Sequence, residues 1–353
     1  VRPDVPNIAN VLRRSVRSDI IAGFEPEYWG YSSGGSEVPR PVRKIEEPAV
    51  GVLDVGSFSA RLVVVPVDGS PREPVLNHQT RLRLDRELDG HGRLTDRGVA
   101  AVTAAVAAGM TAAYRHGVGG VYPLATSSIR DAANAADVVR HVAGETGVEL
   151  QFLSGRREAE LAYLAARRWY GEAAGPLLVL DIGGGTVELA AGHGERAAFA
   201  RSLPLGARSM TRDWLPSERV SNKQVKALRA HALDVVTTTL GAAGVPDPRV
   251  VGCSKVLQQL ARLAGSRPGK CRELRLDDLR AWIPRLAALP PSKRAELPGI
   301  SRSRAHQALA GAIVAEALLT VAGGKVTICP WSTRDGLLLT LQDKAREAGS
   351  RAA

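Results

Sequence analysis

Two kinds of apolar pattern alternate along this chain. Short apolar runs at residues 50–53, 62–67, 177–180 and 189–191 flank glycine-containing turns and read as strands joined in hairpins. Longer stretches read as helices. These are residues 96–116, capped by Thr95 with Asp96 and stopped by Gly117; residues 157–170, opened by Glu158; residues 208–240, interrupted at Pro216 and Ser217; and residues 257–263, 276–289 and 304–321. Residues 118–124, 147–153 and 326–330 add further strands, and residues 81–94 read as a strand and a loop.

The two hairpins repeat one another. LDVGSFSARL at 53–62 aligns with LDIGGGTVEL at 180–189 under one constant offset of 127 residues, pairing Asp54 with Asp181, Gly56 with Gly183 and Ser59 with Thr186. Glycines let the backbone bend so that successive N–H groups converge on an anion, and a hydroxyl adds another donor. A carboxylate at the end of the leading strand would repel a bare phosphate, so its use beside such a loop is to hold a magnesium ion or its waters. Unrelated hairpins with ordinary turns would not be expected to keep this register.

Composition narrows the class. A chain of 353 residues has room for two domains, each with its own core. No apolar run approaches the ~20 residues that span a bilayer and no signal-peptide pattern opens the chain, so a soluble, cytoplasmic protein without a membrane partner is expected. Cys253, Cys271 and Cys329 lack metal-ligand spacing and suit reduced thiols. The formal charge of +11 favours a polyanionic partner, although the accompanying wealth of Ala, Gly and Val is also what GC-rich coding produces. No helix-turn-helix or finger pattern makes that partner a nucleic acid. Residues 1–47, rich in Ser, Gly, Pro and charge, read as a disordered extension with one short helical candidate at 7–21.

Further candidates lie between the repeats. Thr126, Ser127 and Ser128 open a strand-to-helix turn, where they either cap the helix or help bind an anion, and Arg130 would add a bidentate grip on phosphate. Glu158 in a helical first turn is either a partner for the helix dipole or, if that turn faces the phosphate, a base for an attacking water. Arg262, Arg267, Lys270 and Arg272 form a basic run that either guides a long polyanion or is a solvated face.

Five ordered blocks, DVGSFSARL at 54–62, ATSSIRDAAN at 125–134, SGRREAEL at 154–161, LDIGGGTVEL at 180–189 and WSTRDGLLL at 331–339, resemble the exopolyphosphatase and guanosine pentaphosphate phosphohydrolase family, the Ppx/GppA phosphatases. RRWYG, SLPLGARSMTRDWLP and ICPW between them are similar to actinobacterial exopolyphosphatases of the short, two-domain form. The resemblance implies a two-domain α/β fold of the actin, sugar kinase and Hsp70 type around a cleft. Its expected division is 48–176, 177–325 and a C-terminal segment at 326–345 that returns toward the cleft. It assigns Glu158 as catalytic base, Asp181 and Glu188 (with Asp54 as a further candidate) to magnesium, Gly183, Gly184, Gly185 and Thr186 to the second phosphate loop, Gly56, Ser57 and Ser59 to the first, and Arg130 to phosphate. The implied substrate is inorganic polyphosphate or guanosine pentaphosphate (pppGpp), and the implied assembly is a homodimer.

Departures from the family pattern accompany the matches. Phe58 stands where an amide side chain is usual in the first loop, exchanging a donor for an apolar ring. This motivates a third reading, a polyphosphate-binding or regulatory protein with impaired turnover. Val187 replaces a more usual Thr in the second loop. GCSKVLQQLARL at 252–263 stands where a glycine-rich block is usual, leaving Gly252, Ser254 and Lys255 as further phosphate-binding candidates. Arg334 and Asp335 are expected to pair and to hold the domains together.

Overall fold

The computed structural model describes residues 44–241, 243–265 and 273–352. Most of the expected N-terminal extension lies outside these residues, as do Arg267, Lys270, Cys271 and Arg272. The chain divides into two compact units, one running to Phe152 and resuming at Thr340, the other comprising Leu153–Leu339.

In the first unit β1 (Ala49–Val55) and β2 (Ser59–Pro66) pair antiparallel, and β3 (Leu76–Arg81) continues the meander on the far side of β2. Helix α1 (Asp96–Arg115) starts where expected, with the Thr95 hydroxyl accepting the Gly98 N–H at 3.1 Å, and Gly117 turns the chain away at φ +79°. Its buried face rests on β1 so closely that a Cβ on Gly109 would stand 2.8 Å from Leu53 Cδ1. β4 (Val121–Ala125) lies parallel to β1; then come the single turn α2 (Ser127–Arg130), α3 (Ala135–Thr146) and β5 (Gln151–Phe152). The strand expected at 147–153 is two residues long, and Gly147, at φ +69°, instead caps α3 in the left-handed conformation. Likewise β3 ends at Arg81, and residues 84–86 form a 3₁₀ turn with Leu84 buried.

The second unit opens with α4 (Gly155–Tyr170), followed by the meander β6 (Leu177–Ile182), β7 (Val187–Gly192) and β8 (Phe199–Leu203). Next come α5 (Ala207–Trp214), α6 (Asn222–Leu240), β9 (Arg249–Gly252) and α7 (Lys255–Leu263). β10 (Glu273–Arg275), α8 (Leu276–Ala288), the short α9 (Pro291–Arg294), α10 (Ala308–Val321), β11 (Lys325–Ile328) and α11 (Thr333–Ala352) complete the order. Helix α10 is apolar on all sides and buried throughout Ala308 to Leu319. Its single carboxylate, Glu316, is paired with Arg229 Nε at 2.7 Å.

The first sheet has the order β3-β2-β1-β4-β5 and the second β8-β7-β6-β9-β11-β10. The first five positions of each list match in type: a three-stranded antiparallel meander followed by two strands parallel to its first member. The sequence repeat is therefore a repeat of topology, to which the second unit adds the antiparallel edge β10.

The expected boundary at 176 lies too late. Helix α4 sets Ala159, Ala162, Tyr163 and Ala166 against Leu177, Val179, Ala190 and Ala200 of the second sheet, so it belongs to the second unit and takes Glu158 with it. Nor is 326–345 a segment apart. β11 is a member of the second sheet, while the later part of α11 counts with the first unit, where Gln342 Nε2 donates to Pro66 O and Gly69 O at 2.6 and 2.9 Å. Among the described residues no helix is long and apolar enough to cross a membrane.

Candidate active site

In the second unit the turn between β6 and β7 is closed by Gly183 N donating to Thr186 O at 2.8 Å. Helix α5 then docks its first turn onto the loop: Gly206 N donates to Gly185 O (3.2 Å), Ala207 N to Gly183 O (3.0 Å), and Arg208 N and Ser209 N to Gly184 O (2.9 and 3.1 Å). Carbonyls committed in this way leave the N–H groups of Gly184, Gly185 and Thr186 on the opposite side of their peptide planes, where they can meet an anion. The approach requires Gly206, since a Cβ there would lie 2.2 Å from Gly185 C and 2.4 Å from Thr186 N. Arg208 lies along the same loop, its Cζ 3.5 Å from where a Cβ on Gly184 would be. Val187 points into the core and is fully buried, which accounts for an aliphatic residue at that place.

Asp181 and Glu188 are cross-strand partners in the β6–β7 register, so both carboxylates share a face of the sheet. Glu188 is 4% exposed and accepts a 2.9 Å hydrogen bond from Ser202 Oγ of β8. Burial, then the neighbouring Glu158, pushes Asp181 up to about 7. Burial, then Asp181 and Glu158, pushes Glu188 up to about 8, against the opposing pull of its hydrogen bonds with Thr186 and Ser202. Glu158 occupies the first turn of α4, whose cap is Ser154, with its hydroxyl accepting the Arg157 N–H at 3.2 Å. That turn sits close to β8, because a Cβ on Gly155 would stand 2.4 Å from Ser202 Cβ. Glu158, Asp181 and Glu188 thus form one electrostatically linked group beside the glycine loop.

The first unit repeats the turn. Gly56 N donates to Ser59 O at 3.0 Å, matching the Gly183–Thr186 bond at the same offset, and the Ser57 and Ser128 hydroxyls are hydrogen-bonded to each other. Thr126 does not cap α2; its N–H and hydroxyl both donate to Val55 O, at 3.1 and 3.3 Å, and so tie β4 to the start of the loop. Arg130 Nε donates to Asp131 at 3.0 Å. Phe58 is half-buried and its carbonyl accepts the Leu82 N–H. The cross-strand partner of Asp54 is Arg61, where that of Asp181 is Glu188, so the acidic pair exists only in the second hairpin.

The other candidates have structural duties. Ser254 is buried and caps α7 by accepting the Leu257 N–H at 3.1 Å; Gly252 is packed so that a Cβ would meet Leu257 Cδ1 at 2.7 Å; Lys255 Nζ donates to Gln258 at 3.0 Å. Arg334 and Asp335 do pair, at 3.8 Å, and Asp335 also accepts the Ser332 N–H at 2.8 Å. Cys253 and Cys329 are reduced and buried; a hydrogen bond to Cys329, and then burial, holds the Cys253 thiol well above its usual range, which leaves it unsuited to act as a nucleophile.

The donor set suits magnesium. Asp181 and Glu188 offer hard oxygen ligands on one face of the sheet. Among the described residues no group of three or more His, Cys, Asp or Glu is placed to hold a metal ion. A pair of carboxylates with water and substrate oxygens completing the shell is the manner in which magnesium, rather than zinc, is held.

Similarity to known proteins bears on the same residues. The model of the Ppx/GppA phosphatase family matches residues 62–345. The chain belongs to this family. Exopolyphosphatase 1 of Mycobacterium tuberculosis is 41% identical over 305 residues, 83% of this chain and 88% of that protein. Exopolyphosphatase 1 of Mycobacterium leprae is 40% identical over 304 residues, covering 83% and 89%. The crystal structure of the Aquifex aeolicus Ppx/GppA family member superposes with a TM-score of 0.71 at 22% identity, covering 84% of this chain and 98% of that one. The fold is that of the actin-like α/β proteins, duplicated here in the two sheets.

Arg208 and Gly206 escaped the reading of individual residues. Both lie in the block SLPLGARSMTRDWLP, and a glycine followed closely by an arginine after a strand was the available signal.

Proposed function

We propose that this Ppx/GppA phosphatase is an exopolyphosphatase, releasing the terminal phosphate of inorganic polyphosphate by hydrolysis. The observation that carries the reading is the placing of Glu158, Asp181 and Glu188 in one unit beside the Gly183–Thr186 loop. Identity of 41% with Exopolyphosphatase 1 of Mycobacterium tuberculosis supports polyphosphate over pppGpp as the substrate.

In this reading the N–H groups of Gly184, Gly185 and Thr186 receive the oxygens of the terminal phosphate. Glu158 orients a water molecule and takes its proton as the water oxygen bonds to phosphorus. The P–O bond to the next phosphate breaks, its electrons leaving with the shortened chain. Asp181 and Glu188 would hold magnesium, which supplies charge neutralisation for the phosphoryl oxygens. Ser202 keeps Glu188 oriented.

The test is phosphate release with magnesium from polyphosphate of short and long chain and from pppGpp. Preferred release from polyphosphate supports the proposal. Preferred release from pppGpp overturns the substrate, and binding of polyphosphate without release overturns the enzyme in favour of a binding protein.

A further inference from the structure

Each glycine-containing loop is seated by a segment whose N–H groups donate to the loop's carbonyls. At the first loop, Leu82 N donates to Phe58 O at 2.8 Å and Leu84 N to Ser57 O at 2.9 Å. At the second, Gly206 N donates to Gly185 O at 3.2 Å and Arg208 N to Gly184 O at 2.9 Å. The offset of 127 residues that superposes the hairpins carries Ser57 onto Gly184 and Phe58 onto Gly185. Leu84 and Arg208 therefore hold equivalent positions, two residues after the equivalent pair Leu82 and Gly206.

Their side chains do opposite things. Leu84 is 1% exposed and belongs to the core of its unit. Arg208 is only half-buried and lies on the loop, with Cζ, Nη1 and Nη2 at 3.5, 3.6 and 3.7 Å from the place of a Cβ on Gly184. Three nearly equal distances turn the face of the guanidinium toward the place a Cβ on Gly184 would take. Since a leucine serves at the first loop, docking by itself does not call for an arginine.

A second exchange runs the other way. The strand position opposite the leading aspartate is Arg61 in the first hairpin and Glu188 in the second. The second hairpin carries a carboxylate where the first carries an arginine, and its seating segment carries a cation where that of the first carries a leucine.

We propose that Arg208 is a phosphate-binding residue of the second loop, its guanidinium taking oxygens of the polyphosphate chain beside the Gly184–Thr186 N–H groups. The proposal rests on the hydrolase reading above for its substrate. A planar fork suits bidentate contact with phosphate oxygens, and the positive charge offsets the repulsion between a polyanion and the acidic pair.

The experiment compares wild type with Arg208→Gln, Arg208→Lys and Arg208→Leu, the last restoring the residue type found at the first loop. Phosphate release from polyphosphate, equilibrium binding of tripolyphosphate over a range of salt, and thermal unfolding are measured together. The Gln and Leu variants are expected to unfold at the wild-type temperature, to lose about 10²-fold in kcat/KM, and to bind tripolyphosphate more weakly with a shallower salt dependence. Lysine is expected to recover part of the loss. A Gln variant within about twofold of wild type in affinity and kcat/KM, or losses that merely follow the folded fraction, would overturn the role. Should wild type release no phosphate, the hydrolase reading fails separately, and tripolyphosphate binding still decides on Arg208: equal affinity in wild type and Arg208→Gln refutes it.

Discussion

Asp181 and Glu188 face each other across β6 and β7, and burial together with neighbouring carboxylates pushes both up, Asp181 to about 7 and Glu188 to about 8. Two buried carboxyls beside a third, Glu158, titrate as a set, and a cation at that place would lower both values.

Stability should therefore depend on pH in a stated direction. Both carboxyls are raised in the folded protein above their ordinary values near about 4. Folding then favours the protonated forms, so their contribution is fully present below about pH 4 and is lost as pH rises to about 7 for Asp181 and about 8 for Glu188. In metal-free protein, denaturant midpoints followed across this window should fall more steeply for wild type than for Glu188→Gln. Parallel profiles would contradict the raised values.

Magnesium should reverse part of that loss. At pH 8 the ion is expected to raise the melting temperature of wild type and to release protons into weak buffer, with both effects reduced in Asp181→Asn. Calorimetry in buffers of different ionisation enthalpy measures the protons directly. An Asp181→Asn variant that responds like wild type would place the ion elsewhere.

Replacing the base separates chemistry from binding. Glu158→Gln should lower phosphate release by about 10²- to 10⁴-fold while leaving polyphosphate affinity within the same order of magnitude. Single-turnover release and equilibrium binding, run on the same preparation, provide the comparison; undiminished release would remove Glu158 from the role of base.

Gly206 offers a steric test of the loop. Its φ of −62° is open to any residue, so the cost of Gly206→Ala comes chiefly from backbone contact with Gly184, Gly185 and Thr186. A loss of about 1–3 kcal/mol in stability, together with weaker phosphate binding, is expected from denaturant titration and tripolyphosphate binding.

Local features were legible in the sequence where short-range chemistry determines them. Thr95 caps α1, Gly117 closes it, and the repeat at Asp54 and Asp181 marks two hairpins whose turns close with matching hydrogen bonds. Long-range packing was not legible in the same way. Nothing near residue 152 announces that α4 will lie on β6 to β8, because that choice is made by Ala159, Ala162 and Tyr163 meeting strands that come later in the chain. Ser254 and Gly252 carry packing and capping duties that the sequence alone does not separate from binding: Ser254 accepts the Leu257 N–H, and Gly252 leaves no room for a Cβ beside Leu257. Arg208 stayed hidden because its position depends on α5 docking against a loop some two dozen residues earlier.

The paired seating bonds of the two loops make each turn an exchangeable cassette. Leu82 and Leu84 hold the carbonyls of Phe58 and Ser57 without regard to the side chains of those residues, as Gly206 and Arg208 hold those of Gly185 and Gly184. A side chain such as the Phe58 ring is thereby compatible with the same backbone turn. Transplanting GGGT from 183–186 into 56–59 should leave the recipient sheet intact, turning the duplication within this chain into a means of asking what each turn contributes to binding.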